Sequence, residues 1–218
     1  SQIVLLNSDF SVLKDVLMEG RRVVNNITNV ARIFFIKTIY SMLLSLFNIV
    51  TNTAFPFIPI QITLIDLVIE GYTSFFLSFL ENSKPLQGTF LRTVIRNAMP
   101  YALTIIISII IITFAREGLN LSVEEAQTLM YLTIGGVSIF AVIEACRPFN
   151  RISTFLCTTT AIGFFFAAIL FKNILHLSGI TEQVIIILGA TLILAYIVVT
   201  GLKHLINNLS QDLEKASE

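Results

Sequence analysis

The sequence predicts an all-α fold, a polytopic membrane helix bundle of six transmembrane helices entered through a short cytoplasmic strand and a stalk helix. Three observations carry that expectation. Of 218 residues, 55% are hydrophobic and 13% charged, and the mean hydropathy is +0.85, which leaves too little charge to clothe a surface that faces water. Six apolar runs approach the ~20 residues that a helix needs to cross a ~30 Å hydrocarbon core. None of these runs alternates apolar and polar residues, so a membrane β-barrel is excluded and helices must satisfy the backbone inside lipid. The 14 basic and 14 acidic residues cancel, which removes the field a nucleic-acid partner would need.

Residues 1–29 form the lead-in. The chain opens on Ser1 with neither Met nor a basic leader, so it reads as the C-terminal piece of something longer and not as a signal peptide. Gln2-Ile-Val-Leu-Leu6 reads as a short buried strand, and Ser8 or Asp9 as a helix cap. From Phe10, the residues Val12, Leu13, Val16, Leu17, Val23, Val24 and Ile27 recur at helical spacing without a proline, predicting one helix from the cytoplasmic strand into the membrane. The membrane domain covers 30–206, with spans at about 30–50, 57–80, 94–115, 126–146, 153–171 and 183–206, and 207–218 form a cytoplasmic tail. Pro56 and Pro59, Gly118-Leu-Asn120, Pro148 between Arg147 and Arg151, and Ser178-Gly179 mark turns between them.

Basic residues set the orientation. With the N-terminus inside, eleven of them face the cytoplasm (Lys14, Arg21, Arg22, Arg32, Lys84, Arg92, Arg96, Arg147, Arg151, Lys203 and Lys215) and only Arg116 and Lys172 face outward. Both ends are therefore expected in the cytoplasm. The Asn26-Ile-Thr28 and Asn208-Leu-Ser210 glycosylation patterns fall on that side and are discarded.

No phosphate loop, HExxH, CxxC or GxSxG motif is present. His176 and His204 lie near opposite membrane faces and cannot share a metal; Cys146 and Cys157 read as small buried apolar residues. Gly135, Gly136, Gly163 and Gly189 read as close-packing points between helices. The informative residues are ionisable groups at membrane depth, which are costly there and mark function. Asp66 and Glu70, at i,i+4 in the second span, share a helix face, and paired carboxylates suit a hard cation. Thr63 adds a hydroxyl on that face, and Gly71 lets the helix loosen and free backbone carbonyls. The bland reading is two neutral acids merely hydrogen-bonded in a bundle. Lys37 lies one turn before Ser41 in the first span, and antiparallel geometry puts it near the depth of Glu70; it is either a counter-ion for that acid or a lysine reaching for the headgroups. Glu144 reads first as an interfacial ion pair with Arg147 and second as part of an ion path.

Two stretches carry a family resemblance. Gln2-Ile-Val-Leu-Leu-Asn-Ser-Asp-Phe-Ser11 followed by Glu19-Gly-Arg-Arg-Val-Val-Asn-Asn26 resembles the end of the phosphorylation domain of a P-type ATPase and its stalk helix. Phe57-Ile-Pro-Ile-Gln-Ile-Thr-Leu-Ile-Asp-Leu-Val-Ile-Glu-Gly71 is similar to that family's sixth membrane helix. The resemblance implies the fifth to tenth helices of an ATP-driven, E1-E2 type bacterial cation pump in the plasma membrane. It also implies a partner, the N-terminal remainder with the first four helices and the domains that bind ATP and Mg2+; the phosphorylated Asp-Lys-Thr-Gly-Thr motif is absent here. It makes Asp66 and Glu70 metal ligands and puts Ser41 where the calcium-pump pattern has an acid, while Asp66, Ile69 and Glu70 stand where that pattern has Asn, Thr and Asp. Phe75-Phe-Leu-Ser-Phe79 resembles a branch linked to calcium transport, which makes Ca2+ the leading cation. A six-helix secondary, proton-coupled transporter using Asp66 and Glu70 is the alternative, and a non-transporting membrane subunit is a third reading.

The orientation has a direct check. In a background without Cys146 and Cys157, a cysteine at Asn120 should react with a membrane-impermeant maleimide added outside, and one at Ser83 should not; outside labelling at Ser83 reverses the topology.

Overall fold

The structure is a computed structural model that describes residues 12–53, 55–80, 88–177 and 179–215, with side chains as far as residue 209. The expected strand at Gln2–Leu6 and the Ser8 or Asp9 cap lie outside the described residues. Six helices are long and apolar enough to cross a membrane, and no strand occurs among the described residues. They are α1 (Leu13–Thr51), α2 (Pro59–Leu77), α3 (Phe90–Ala115), α4 (Val123–Ala145), α5 (Arg151–Leu170) and α6 (Glu182–Lys215).

Helix α1 runs unbroken for 39 residues. At 1.5 Å per residue this is about 58 Å, far more than a membrane core requires. It stops at Asn52, whose left-handed conformation (φ 52) turns the chain back. Pro59 opens α2, where its missing N–H costs nothing. Capping boxes start two later helices: Ser122 with Glu125 at α4, and Asn150 with Ser153 at α5. Beyond position 206, where a tail was expected, α6 continues as helix to Lys215.

Helix α4 is the hub. It touches all five others, and its buried residues run almost without interruption from Leu129 to Val142. An all-round apolar helix belongs in the centre of a bundle. Two of its glycines admit neighbours at close range. A Cβ at Gly135 would lie 2.1 Å from the Phe164 ring of α5, and one at Gly136 would lie 2.4 Å from Leu192 of α6. Without a water-driven hydrophobic force between helices in lipid, such close approach is what generates attraction. The expected packing role does not extend to every glycine: Gly163 has its nearest neighbour at 4.0 Å, and nothing approaches Gly189 within 4 Å. At the end of the bundle poorest in basic residues, Gly179 sits against the Glu125 backbone, Thr181 donates to Glu125 (2.9 Å) and Gln183 to the Leu119 carbonyl (2.8 Å).

The packing predicts an asymmetry among these glycines. Phe164 is fully buried beside Tyr131 and has no room to yield, so Gly135→Ala should destabilise by about 1–3 kcal/mol. Gly189→Ala should be neutral or slightly stabilising, since it adds a helix former in open space. Thermal unfolding midpoints in one detergent compare them.

Candidate ion-binding site

The centre of α2 departs from α-helical winding. Residues Ile65–Tyr72 form a π-helix, flanked by α-helical turns on either side. The wider i→i+5 winding is rare and concentrates at functional sites. Gly71 fits its place: a Cβ there would sit 3.2 Å from the Asp66 carbonyl oxygen, the acceptor five residues back. Both carboxylates flagged by the sequence, Asp66 and Glu70, lie within this segment.

Across from them stands Lys37 of α1. Its Nζ donates to Asp66 Oδ1 at 2.6 Å and to Glu70 Oε2 at 3.0 Å. The ammonium bridges both acids, so it does not reach for the headgroups. The two carboxylates differ sharply in setting. The Glu70 side chain is 4% exposed and the Asp66 side chain 44%, so one acid is sealed in the bundle and the other opens to the face this chain leaves uncovered. Elsewhere on α1 and α2, Met42, Leu46, Ile49 and Leu67 are also exposed.

The two hydroxyl candidates are not drawn into this triad. Thr63 is exposed and donates to the Pro59 carbonyl of its own helix (3.3 Å). Ser41 is half-buried one turn past Lys37, and its carbonyl accepts from Ser45 (2.8 Å). The sequence reading missed Tyr40. It is 1% exposed, and its hydroxyl has no hydrogen-bond partner among the described residues. Its position three residues after Lys37 was the available signal.

The end of α2 is held by α1. Asn26 is buried and donates from Nδ2 to the Ser78 (3.1 Å) and Leu80 (2.8 Å) carbonyls, and Arg22 donates to the Phe79 carbonyl (3.3 Å). These carbonyls belong to the C-cap Ser78 and the turn that follows it. On the other side, the Tyr72 hydroxyl lies 2.7 Å from that of Thr159, and Thr73 lies 3.3 Å from Thr160, tying the π-helical segment to α5.

A second charged cluster lies away from this site. Glu144 pairs with Arg32 (3.7 Å) and Lys203 and accepts from the Tyr101 hydroxyl (2.7 Å). The expected pairing with Arg147 is therefore corrected. The arginine stacks over Phe149 at the bundle edge, whereas the inward face of α4 turns Glu144 toward two cations from α1 and α6. His176 caps a turn with φ 52, and His204 sits within 2.9 Å of Asn208 on its own helix.

A bundle of six helices long and apolar enough to cross a membrane, with a lysine bridging two carboxylates between α1 and α2, defines an integral membrane domain. No family model matches the chain. Among curated proteins, it is 39% identical over 204 residues to the probable cation-transporting ATPase exp7 of Streptococcus pneumoniae, covering 88% of this chain and 26% of that protein. It is 28% identical over 200 residues to the calcium-transporting ATPase CtpE of Mycolicibacterium smegmatis, covering 84% and 25%. To CtpE of Mycobacterium tuberculosis it is 32% identical over 164 residues, covering 69% and 21%. Its homologues are cation-transporting P-type ATPases, and the chain is a part of a protein of that family. It spans about a quarter of the length of the relatives it matches.

The pin at the end of α2 generates a prediction. Asn26→Leu leaves the Ser78 and Leu80 carbonyls without their donor, and should lower stability by about 1–3 kcal/mol. Chemical denaturation in detergent measures it; an unchanged midpoint shows that the contacts contribute nothing.

Proposed function

We propose that this chain is the second half of the membrane domain of an ATP-driven cation pump, with both of its ends in the cytoplasm of a bacterial cell. The observation that carries this reading is the Lys37 ammonium held between Asp66 and Glu70 in the π-helical turn. ATP and Mg2+ act outside this chain, on the N-terminal remainder of the same protein. That remainder also supplies the first four helices, which pack against the open face beside Asp66.

The transported cation binds to Asp66 and Glu70, and Ser41 on α1 adds an oxygen. Carboxylate and hydroxyl oxygens are the donors a hard divalent cation prefers. Calcium is the leading cation, supported by that donor chemistry and by the naming of the CtpE relatives. Thr63 is left out of the ligand set because its hydroxyl faces away into its own helix.

Lys37 gives the site its second state. Two bare carboxylates in a low-dielectric medium repel each other and lack solvent. The ammonium neutralises one charge when no cation is present. An incoming cation displaces it, and on release the ammonium returns to the acids. Alternating access, driven from the cytoplasmic domains through α1, then switches which side of the membrane the vacated carboxylates face.

The test is made in the full-length protein. Asp66→Asn and Glu70→Gln should each abolish cation-stimulated ATP hydrolysis while leaving expression intact; retained stimulation in both refutes the site. Lys37→Met should raise cation affinity on the order of tenfold (about 1.4 kcal/mol), because nothing must then be displaced. It should also shift the pH dependence of that affinity, and a curve identical to the parent's removes Lys37 from the cycle.

A further inference from the structure

Tyr40 is the buried group that the ion site leaves unused. On α1 the residues Ile33, Ile36, Tyr40 and Leu44 recur at helical spacing and are each at most 3% exposed, so this stripe faces the bundle interior. Lys37 stands at its edge, with 28% of its side chain exposed, three residues before Tyr40 and about 60° round the helix. The ammonium therefore comes to the acids along the more exposed flank of α1, and the phenol stands on the buried one.

The phenol is close enough to Glu70 and Asp66 to interact electrostatically with both, with Glu70 the more strongly. Its hydroxyl nevertheless has no hydrogen-bond partner among the described residues, Ser41 coming near without meeting bonding geometry. A donor sealed from water without an acceptor is costly, and native proteins rarely keep one. Tyr131 makes the contrast. Its hydroxyl is equally buried and unpartnered, yet it has no electrostatic interaction with either acid.

Glu70 is the acceptor within range. In this structure Lys37 donates to its Oε2 at 3.0 Å. Under the proposed reading a cation displaces that ammonium, and the Glu70 side chain, 4% exposed, loses its donor where little water can replace it. Carboxylates that ligate a metal are as a rule hydrogen-bonded in turn, which fixes their orientation. A hydroxyl donating to a carboxylate makes one of the stronger bonds available.

We propose that Tyr40 is a positioning residue of the cation site: its hydroxyl donates to Glu70 once the cation has replaced Lys37, and so holds that carboxylate in its ligating orientation. The exchange of donors accounts for the orphaned hydroxyl, because the bond belongs to the loaded site and not to the lysine-bridged one. This role rests on the proposed cation site, and within it Tyr40 touches the carboxylate and not the ion.

Tyr40→Phe in the full-length protein removes the oxygen and keeps the ring, and Ca2+ is the probe. The half-saturating Ca2+ concentration for ATP hydrolysis should rise about tenfold, with the rate at saturating Ca2+ near the parent's. The thermal unfolding midpoint without Ca2+ should not fall, since no bond is lost in that state. A lower midpoint, or a variant that does not fold, means that the hydroxyl already supports the empty site and overturns the proposal. Unchanged half-saturation overturns it as well. Tyr131→Phe should leave half-saturation unchanged; a loss equal to that of Tyr40→Phe makes the effect a general one of the core and removes the role of Tyr40. Glu70→Gln separates the two levels. Ca2+ stimulation absent from the parent, or retained in Glu70→Gln, removes the cation site itself, whereas stimulation lost in Glu70→Gln beside parental half-saturation in Tyr40→Phe removes only Tyr40.

Discussion

The structure turns on one contact, the Lys37 ammonium between Asp66 and Glu70. Each of these groups alone is an expensive guest in a hydrocarbon medium. Together they are bearable only while α1 and α2 stay at this depth and this rotation relative to each other. The π-helical winding of α2 is part of the same constraint. Both acids lie within it, and Gly71 keeps the turn free of a side chain that would press on the Asp66 carbonyl. The rest of the bundle serves to hold that geometry. Asn26 and Arg22 fasten the far end of α2 to α1, Tyr72 and Thr73 fasten its middle to α5, and α4 fills the space behind.

The contrast between the two acids divides the bundle into a closed side and an open side. Glu70 is buried among packed helices and Asp66 is 44% exposed. Under the proposed reading the open side is where a partner segment of the same protein completes the site. The closed side is a wall built on α4, α3 and α6. A pump needs both: a wall that keeps its shape, and a seam that does not.

Much of the fold was legible because lipid leaves few choices. Length and hydropathy alone locate helices, and a backbone in hydrocarbon has no other regular option without a closed barrel. The depth match between Lys37 and Glu70 followed from antiparallel spans and a constant rise per residue. Other features were beyond reach for physical reasons. Helical periodicity puts Glu144 near Arg147, but no local rule reveals that Arg32 and Lys203, 112 residues earlier and 59 later, arrive on the same side of it. Thr63 shares a face with the acids only in ideal α-geometry, and it sits in the α-helical turn before the π segment. A glycine's spacing cannot show whether a neighbour presses on it, which is why Gly135 and Gly189 looked alike and are not.

The unbroken length of α1 makes it a lever. Asn26 and Lys37 stand eleven residues apart on one rigid rod, about 16 Å along its axis. If Asn26 acts as the fulcrum, a tilt of about 5° swings the base of Lys37 sideways by about 1.4 Å over that arm. A shift of that size must be taken up by re-extension of the lysine stem or by lengthening of its 2.6 Å hydrogen bond. The length of α1 thus ties the angle of the helix at Asn26 to the reach that Lys37 needs to hold both acids.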